Sequence, residues 1–218
     1  MVFQVIGLKT ALSISSPADW NNAKLTGADF CEIRIDLISN ERDSRELIEL
    51  CKNGLNIPII ATIRSFEEGG KFKGGDEDWR KIIEPWCCCA DYIDIERKFS
   101  HFSKDIKETD TKIIASAHLN YMPDNNELLS IHRELKGYGD IPKIVVTPGS
   151  NEDLLSFIRF TIDAEKPVIT SVMGEEFRWA RVVLLLFGSM IVYCHSGEKA
   201  ATGQYHISDM KKILEMII

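Results

Sequence analysis

Short runs rich in Ile, Val and aromatic residues alternate along this chain with longer segments whose apolar residues recur every three or four positions. The β-rich runs are 2–8, 30–38, 57–64, 91–96, 112–118, 141–148, 166–173 and 190–195. The helical patterns lie between them, at 16–26, 41–54, 76–90, 97–109, 124–138, 150–166 and 175–188, with a last one at 208–218. Ser or Asp opens several of these segments and suits an N-cap. Strict strand–helix alternation predicts right-handed crossovers and a parallel sheet, and eight repeats of about 27 residues match a single (β/α)8 barrel domain over 1–218. An open doubly wound sheet is the rival, but the segment "GLKTALSISS", read as the turn after the first strand, has no Gly-x-Gly-x-x-Gly phosphate loop.

The strands carry an unusual face. Alternation puts Glu32, Arg34 and Asp36 on one side of the second strand and Ile33, Ile35 and Leu37 on the other. The same parity turns Thr62 and Arg64, Asp94 and Glu96, Ser116 and His118, and Lys143, Val145 and Thr147 into the lumen. A purely structural barrel fills that space with Val, Ile and Leu. Burying unpaired ions costs several kcal/mol each, and even paired ones often stabilise less than apolar replacements. A ring of ionisable groups in the lumen therefore points to a site.

Composition narrows the classes. The 218 residues are 44% hydrophobic and carry a net charge of −7 with no basic stripe, which argues against a nucleic-acid surface. No run approaches the roughly 20 apolar residues of a membrane span, and the N-terminus lacks a secretory pattern, so a soluble cytoplasmic protein is expected. The six cysteines lack paired Cys-x-x-Cys spacing, and the run Cys87-Cys88-Cys89 is read as packing, not metal or redox chemistry.

Lys143 lies within the apolar run "IPKIVVTP" with no carboxylate beside it in sequence. Desolvation or nearby positive charge lowers a lysine from its ordinary pKa of about 10.4 and makes it a nucleophile. Arg34, Arg64 and Arg181 are candidate sources of like charge. Attack on a ketone gives an imine, whose protonated form draws electrons from the neighbouring carbon, so no metal or cofactor is required. His118, at the end of the preceding strand, suits the proton carrier. Two loops complete the reading: the glycine-rich "SFEEGGKFKGGDED" as a mobile rim segment, and "HSGEKAATGQYH" as a lid.

These motifs resemble type I 3-dehydroquinate dehydratase. "EIRIDL", "TIRSFEEGG", "DIE", "SAH", "IPKIVV" and "PVITSVMGEEFRWARVVLLLFGS" followed by "AATGQ" occur in that family's order over essentially the whole chain. The resemblance implies that Lys143 forms an imine with the C3 ketone of 3-dehydroquinate. His118 then moves the C2 proton and protonates the departing C1 hydroxyl, with Glu68 as its partner. Arg181 and Gln204 bind the substrate carboxylate, Glu32 and Arg64 hold ring hydroxyls, and Arg34, Asp36, Asp94 and Glu96 form a supporting network, Arg34 within reach of substrate. Tyr193 is compatible with lining the pocket. It also implies a place in the shikimate pathway and a homodimer, with no metal or cofactor. The chain departs from the family at Ala200, where a lid serine is usual, with Thr202 and Ser196 as alternative hydroxyls. A class I aldolase and a catalytically silent carboxylate-binding barrel remain the rival readings.

Overall fold

The structure is a computed structural model that describes residues 8–54 and 56–217. Nine strands among the described residues form one parallel sheet in the order β7-β6-β5-β4-β3-β2-β1-β8-β9. They are β1 (Lys9–Ile14), β2 (Phe30–Arg34), β3 (Ile59–Thr62), β4 (Tyr92–Glu96), β5 (Lys112–His118), β6 (Ile141–Val146), β7 (Ile169–Val172), β8 (Ile191–His195) and β9 (Tyr205–His206). The helices are α1 (Pro17–Leu25), α2 (Glu41–Lys52), α3 (Asp76–Ile83), α4 (Ser103–Lys107), α5 (Asn125–Tyr138), α6 (Asn151–Asp163), α7 (Ala180–Leu186) and α8 (Ile207–Ile217). No described helix is long and apolar enough to cross a membrane.

The first strand is a correction. The predicted run 2–8 lies outside the described residues except Leu8, which is in no strand, and the segment read as a turn is β1 itself. Its Ala11 joins the inner apolar cluster while Leu12 and Ile14 pack outward beneath the helices. β2 to β8 lie within their predicted runs, and the two-residue β9 falls in the segment read as a lid. The helices are shorter than expected where local chemistry stops them. Pro85 lacks an amide donor, so α3 gives way to a 3-10 turn at Glu84–Trp86 and the three cysteines fall in the turn beyond. Residues 97–102 are likewise 3-10 before α4.

The sheet curls until β7 and β8 are adjacent, yet no strand ladder joins them. The seam is crossed by Met190 N donating to Val168 O at 2.8 Å and by the Ser189 hydroxyl. That hydroxyl accepts from Thr170 N and donates to Thr170 O, each at 3.0 Å. Two apolar layers result. The outer one lies between strands and helices. The inner one, with Ala11, Phe30, Ile60, Ile114, Ile141, Ile169, Ile191 and Tyr193, fills the lower lumen, and the charged side chains stand above it at the C-terminal ends of the strands.

Candidate active site

A cavity of about 540 Å³ opens at the C-terminal end of the sheet. Glu32, Arg34, Arg64, Glu68, His118, Lys143, Arg181, Tyr193 and Gln204 all line it. Glu32 and Arg34 come from β2, His118 from β5, Lys143 from β6 and Tyr193 from β8, while Arg64 and Glu68 follow β3, Arg181 lies on α7 and Gln204 precedes β9.

Lys143 is 4% exposed, and its Nζ lies 2.9 Å from Oδ2 of Asp94, 4.0 Å from Oε1 of Glu32 and 4.2 Å from the centre of the Tyr193 ring. Sequence spacing does not pair Lys143 with Asp94, because the two residues meet only when β4 and β6 flank β5. Asp94 is shared. Arg64 Nη2 donates to its Oδ1 at 2.7 Å, and Ser116 Oγ donates to the same oxygen at 2.5 Å. Burial alone would raise the Asp94 carboxyl, but Arg64 and Lys143 outweigh burial and hold it below the usual carboxylate range.

Arg64 is the hub of this network. Its Nη1 also reaches Glu96 at 2.9 Å, Ser116 at 3.1 Å and Glu68 at 3.2 Å. Desolvation opposes its charge, yet Asp94, Glu96 and Glu68 together raise its pKa. The cation is thus compensated from three sides, as a buried charge requires.

His118 Nδ1 lies 2.9 Å from Glu68 Oε2, and the His118 backbone amide donates to the same oxygen at 3.0 Å. Glu67, one residue earlier, instead faces Lys98 at the surface. Burial, with Arg64 and Lys143 nearby, lowers the His118 pKa well below its ordinary value, which keeps the imidazole neutral and able to accept a proton. Burial raises Glu68 to about 8 despite the opposing charge of Arg64.

The glycine-rich rim explains how Glu68 gets there. Residues 65–72 fold back on themselves: Phe66 N donates to Phe72 O, and Gly70 N donates to Ser65 O. Gly69 adopts φ +86, and a Cβ on Gly70 would lie 2.1 Å from Arg64 O, so both positions need glycine. Asp36 anchors this segment from below. It lies in the 3-10 turn Ile35–Leu37 just past β2, not on the strand face, and accepts from Arg34 as well as from the amides of Arg64 and Lys71. Thr147 likewise lies beyond β6 and bonds Leu119 O rather than lining the cavity.

Glu32 accepts from Ser13 Oγ at 2.5 Å and Thr62 Oγ1 at 3.0 Å. Ser13 was hidden from sequence reading by the misplaced first strand. The lid is held down by the residues beneath it. Arg34 donates to Ala200 O at 2.9 Å, Arg181 donates to Thr202 O at 3.0 Å, and Gln204 Oε1 accepts from the amides of Ala200 and Ala201. Burial lowers Arg181 to about 10, and its Nε is buried with no partner among the described residues. Of the alternative hydroxyls for position 200, Thr202 lines the cavity, whereas Ser196 lies outside it and faces Asn22.

Comparison with known proteins places this geometry. The family model described as type I 3-dehydroquinase matches residues 10–218. The chain is 41% identical to the 3-dehydroquinate dehydratase of Methanoregula boonei, over 96% of this chain and 100% of that one. It is 35% identical to that of Methanospirillum hungatei, over 96% and 81%. Among solved structures, the 3-dehydroquinate dehydratase of Aquifex aeolicus superimposes with a TM-score of 0.81 at 29% identity, covering 95% of this chain and 98% of that one. The enzyme from Geobacillus kaustophilus superimposes with a TM-score of 0.84 at 24% identity, covering 97% and 91%, which speaks to the fold. With a (β/α)8 fold, a lysine and a histidine in one cavity and a family match across nearly all its length, the chain belongs to the type I 3-dehydroquinase family.

Proposed function

We propose that this chain is a 3-dehydroquinate dehydratase acting through a lysine imine, within the shikimate pathway. The observation that carries this reading is the joint placement of Lys143 Nζ and the His118 ring in one cavity walled by buried charge. Lys143 gives up a proton to water and attacks the C3 ketone. The carbinolamine expels water to give the protonated imine. His118 takes a proton from C2, and the electron pair flows to the imine nitrogen as the enamine forms. The enamine returns that pair, the C1–O bond breaks, and His118 hands its proton to the departing oxygen, which leaves as water. A second water hydrolyses the imine, releasing 3-dehydroshikimate and the lysine.

In this scheme Glu68 orients the imidazole through Nδ1. Glu32 and Arg64 hold ring hydroxyls, and Arg181 with Gln204 receives the carboxylate. Arg34 acts through the lid carbonyl that it holds. The reading takes the chain as one catalytic domain needing no metal or cofactor, cytoplasmic and homodimeric as the family resemblance implies.

Incubation with 3-dehydroquinate, followed by ultraviolet detection of the conjugated enone, tests the activity. Turnover of a phosphosugar in its place would favour an aldolase. Borohydride added with substrate should fix a permanent mass on the peptide containing Lys143, and an unmodified peptide would favour a silent carboxylate binder.

A further inference from the structure

Ser171 sits on β7 in register with Val145 of β6, which is in register with His118 of β5. These three residues form one tier across adjacent strands, and Lys143 lies in the tier below, paired with Ile169 and Ser116. Parity turns Ser171 inward. Its neighbour Thr170 faces out and bonds Thr161 of α6 at 3.0 Å, and Val172 packs in the outer apolar layer. Ser171 is 9% exposed and lines the cavity, and its hydroxyl bonds no described residue.

A structural duty does not account for that hydroxyl. The seam beside β7 is already bridged by Ser189, which takes both backbone groups of Thr170. Inward positions that serve only to fill space carry apolar residues, as Ile169 does one layer down. The Ser171 hydroxyl opens onto the cavity, so it is a donor within reach of a ligand that enters. Arg181 offers a second such donor. It belongs to the same β7–α7 unit and lines the same cavity, and its Nε is buried without a partner among the described residues.

We propose that Ser171 is a specificity-determining residue whose hydroxyl donates a hydrogen bond to the substrate carboxylate beside Arg181. The proposal rests on the dehydratase reading for the identity of the ligand. It has a geometric rationale within that reading: with C3 bonded to Lys143 and C2 at His118, the carboxylate-bearing C1 comes next around the ring, in the tier that Ser171 occupies. At positions 200 and 201 the lid offers only methyl groups, with the Thr202 hydroxyl further along the cavity wall, and β7 supplies a second hydroxyl from below.

The test is Ser171→Ala, with thermal melting to show that the small substitution leaves the fold intact. Calorimetry compares two ligands: 3-dehydroshikimate and its analogue without the carboxylate, 5,6-dihydroxycyclohex-2-enone. The variant should bind 3-dehydroshikimate about tenfold more weakly, the effect of one hydrogen bond to a charged group, and bind the analogue as the wild type does. With 3-dehydroquinate, KM should rise by a similar factor while kcat stays within about twofold, because a carboxylate contact is made equally in ground and transition states. Unchanged binding of 3-dehydroshikimate, or an equal loss for both ligands, overturns the proposal. A wild type that binds 3-dehydroshikimate but does not turn over 3-dehydroquinate sinks the dehydratase reading, and the two-ligand comparison still decides the role of Ser171.

Discussion

Asp94 Oδ2 accepts from Lys143 Nζ at 2.9 Å while Asp94 Oδ1 accepts from Arg64 at 2.7 Å, so one fully buried carboxylate holds two cations from strands on either side of it. Removing either end has unequal consequences. Asp94→Ala leaves Lys143 with Glu32 at 4.0 Å and takes one of the three carboxylates from Arg64, and should cost about 3–5 kcal/mol, whereas Lys143→Met leaves Asp94 bonded to Arg64 and Ser116 and should cost about 1 kcal/mol. Urea unfolding of both variants measures this. Equal losses would show that Arg64 does not depend on Asp94.

His118→Ala should still form the lysine adduct but turn over at least about 10²-fold more slowly, the lower end for a lost general acid–base group. Mass spectrometry after borohydride and steady-state rates separate the two effects. Near-normal turnover would remove the imidazole from the proton transfers.

The depressed His118 pKa shifts the acid limb of the rate profile. Because the folded chain resists protonating this ring, kcat/KM should hold steady as pH falls through histidine's ordinary value of 6.5 and decline only below it. An acid limb at or above 6.5 would contradict the burial argument.

Glu68 works in the opposite sense on stability. Its pKa rises from 4.5 to about 8 on folding, so between those values the folded chain keeps a proton that the unfolded chain has released. Its contribution is full below pH 4.5 and is lost as pH rises through about 8. Glu68→Gln cannot titrate, so the difference in melting temperature between variant and wild type should change across that window. A constant difference would refute the shift.

Glu175 ties the β7–α7 loop to the lid: its Oε1 accepts from Lys199 Nζ at 3.0 Å and from Gly203 N at 3.1 Å. Glu175→Ala should raise amide exchange at Gly203 and neighbouring lid positions about fivefold, and KM should increase more than kcat changes. Unaltered exchange would show that the lid is held by Arg34 and Arg181 without this contact.

The sequence showed the strand–helix rhythm and the inward charges clearly, because both follow from periodicity within single segments. Glu32, Arg64, His118 and Lys143 could be placed in the lumen by parity alone. What parity cannot give is which inward residues touch. The Lys143–Asp94 bond spans two strands, and Ser13 reaches Glu32 only once β1 is set at Lys9–Ile14. That strand was misplaced because 2–8 is more apolar than the alternating segment that forms it. Ser171 was invisible for another reason: one serine among Ile, Thr and Val carries no pattern until its neighbours in space are known.

The apolar plug of Ile60, Ile114, Ile141 and Ile169 also governs traffic. On the dehydratase reading, with the lower end of the lumen stoppered by hydrocarbon among the described residues, the incoming ketone, the outgoing enone and the exchanged water share the doorway beside residues 200–204. Departure of one molecule is therefore a condition for arrival of the next, and any change that widens that doorway alters both at once.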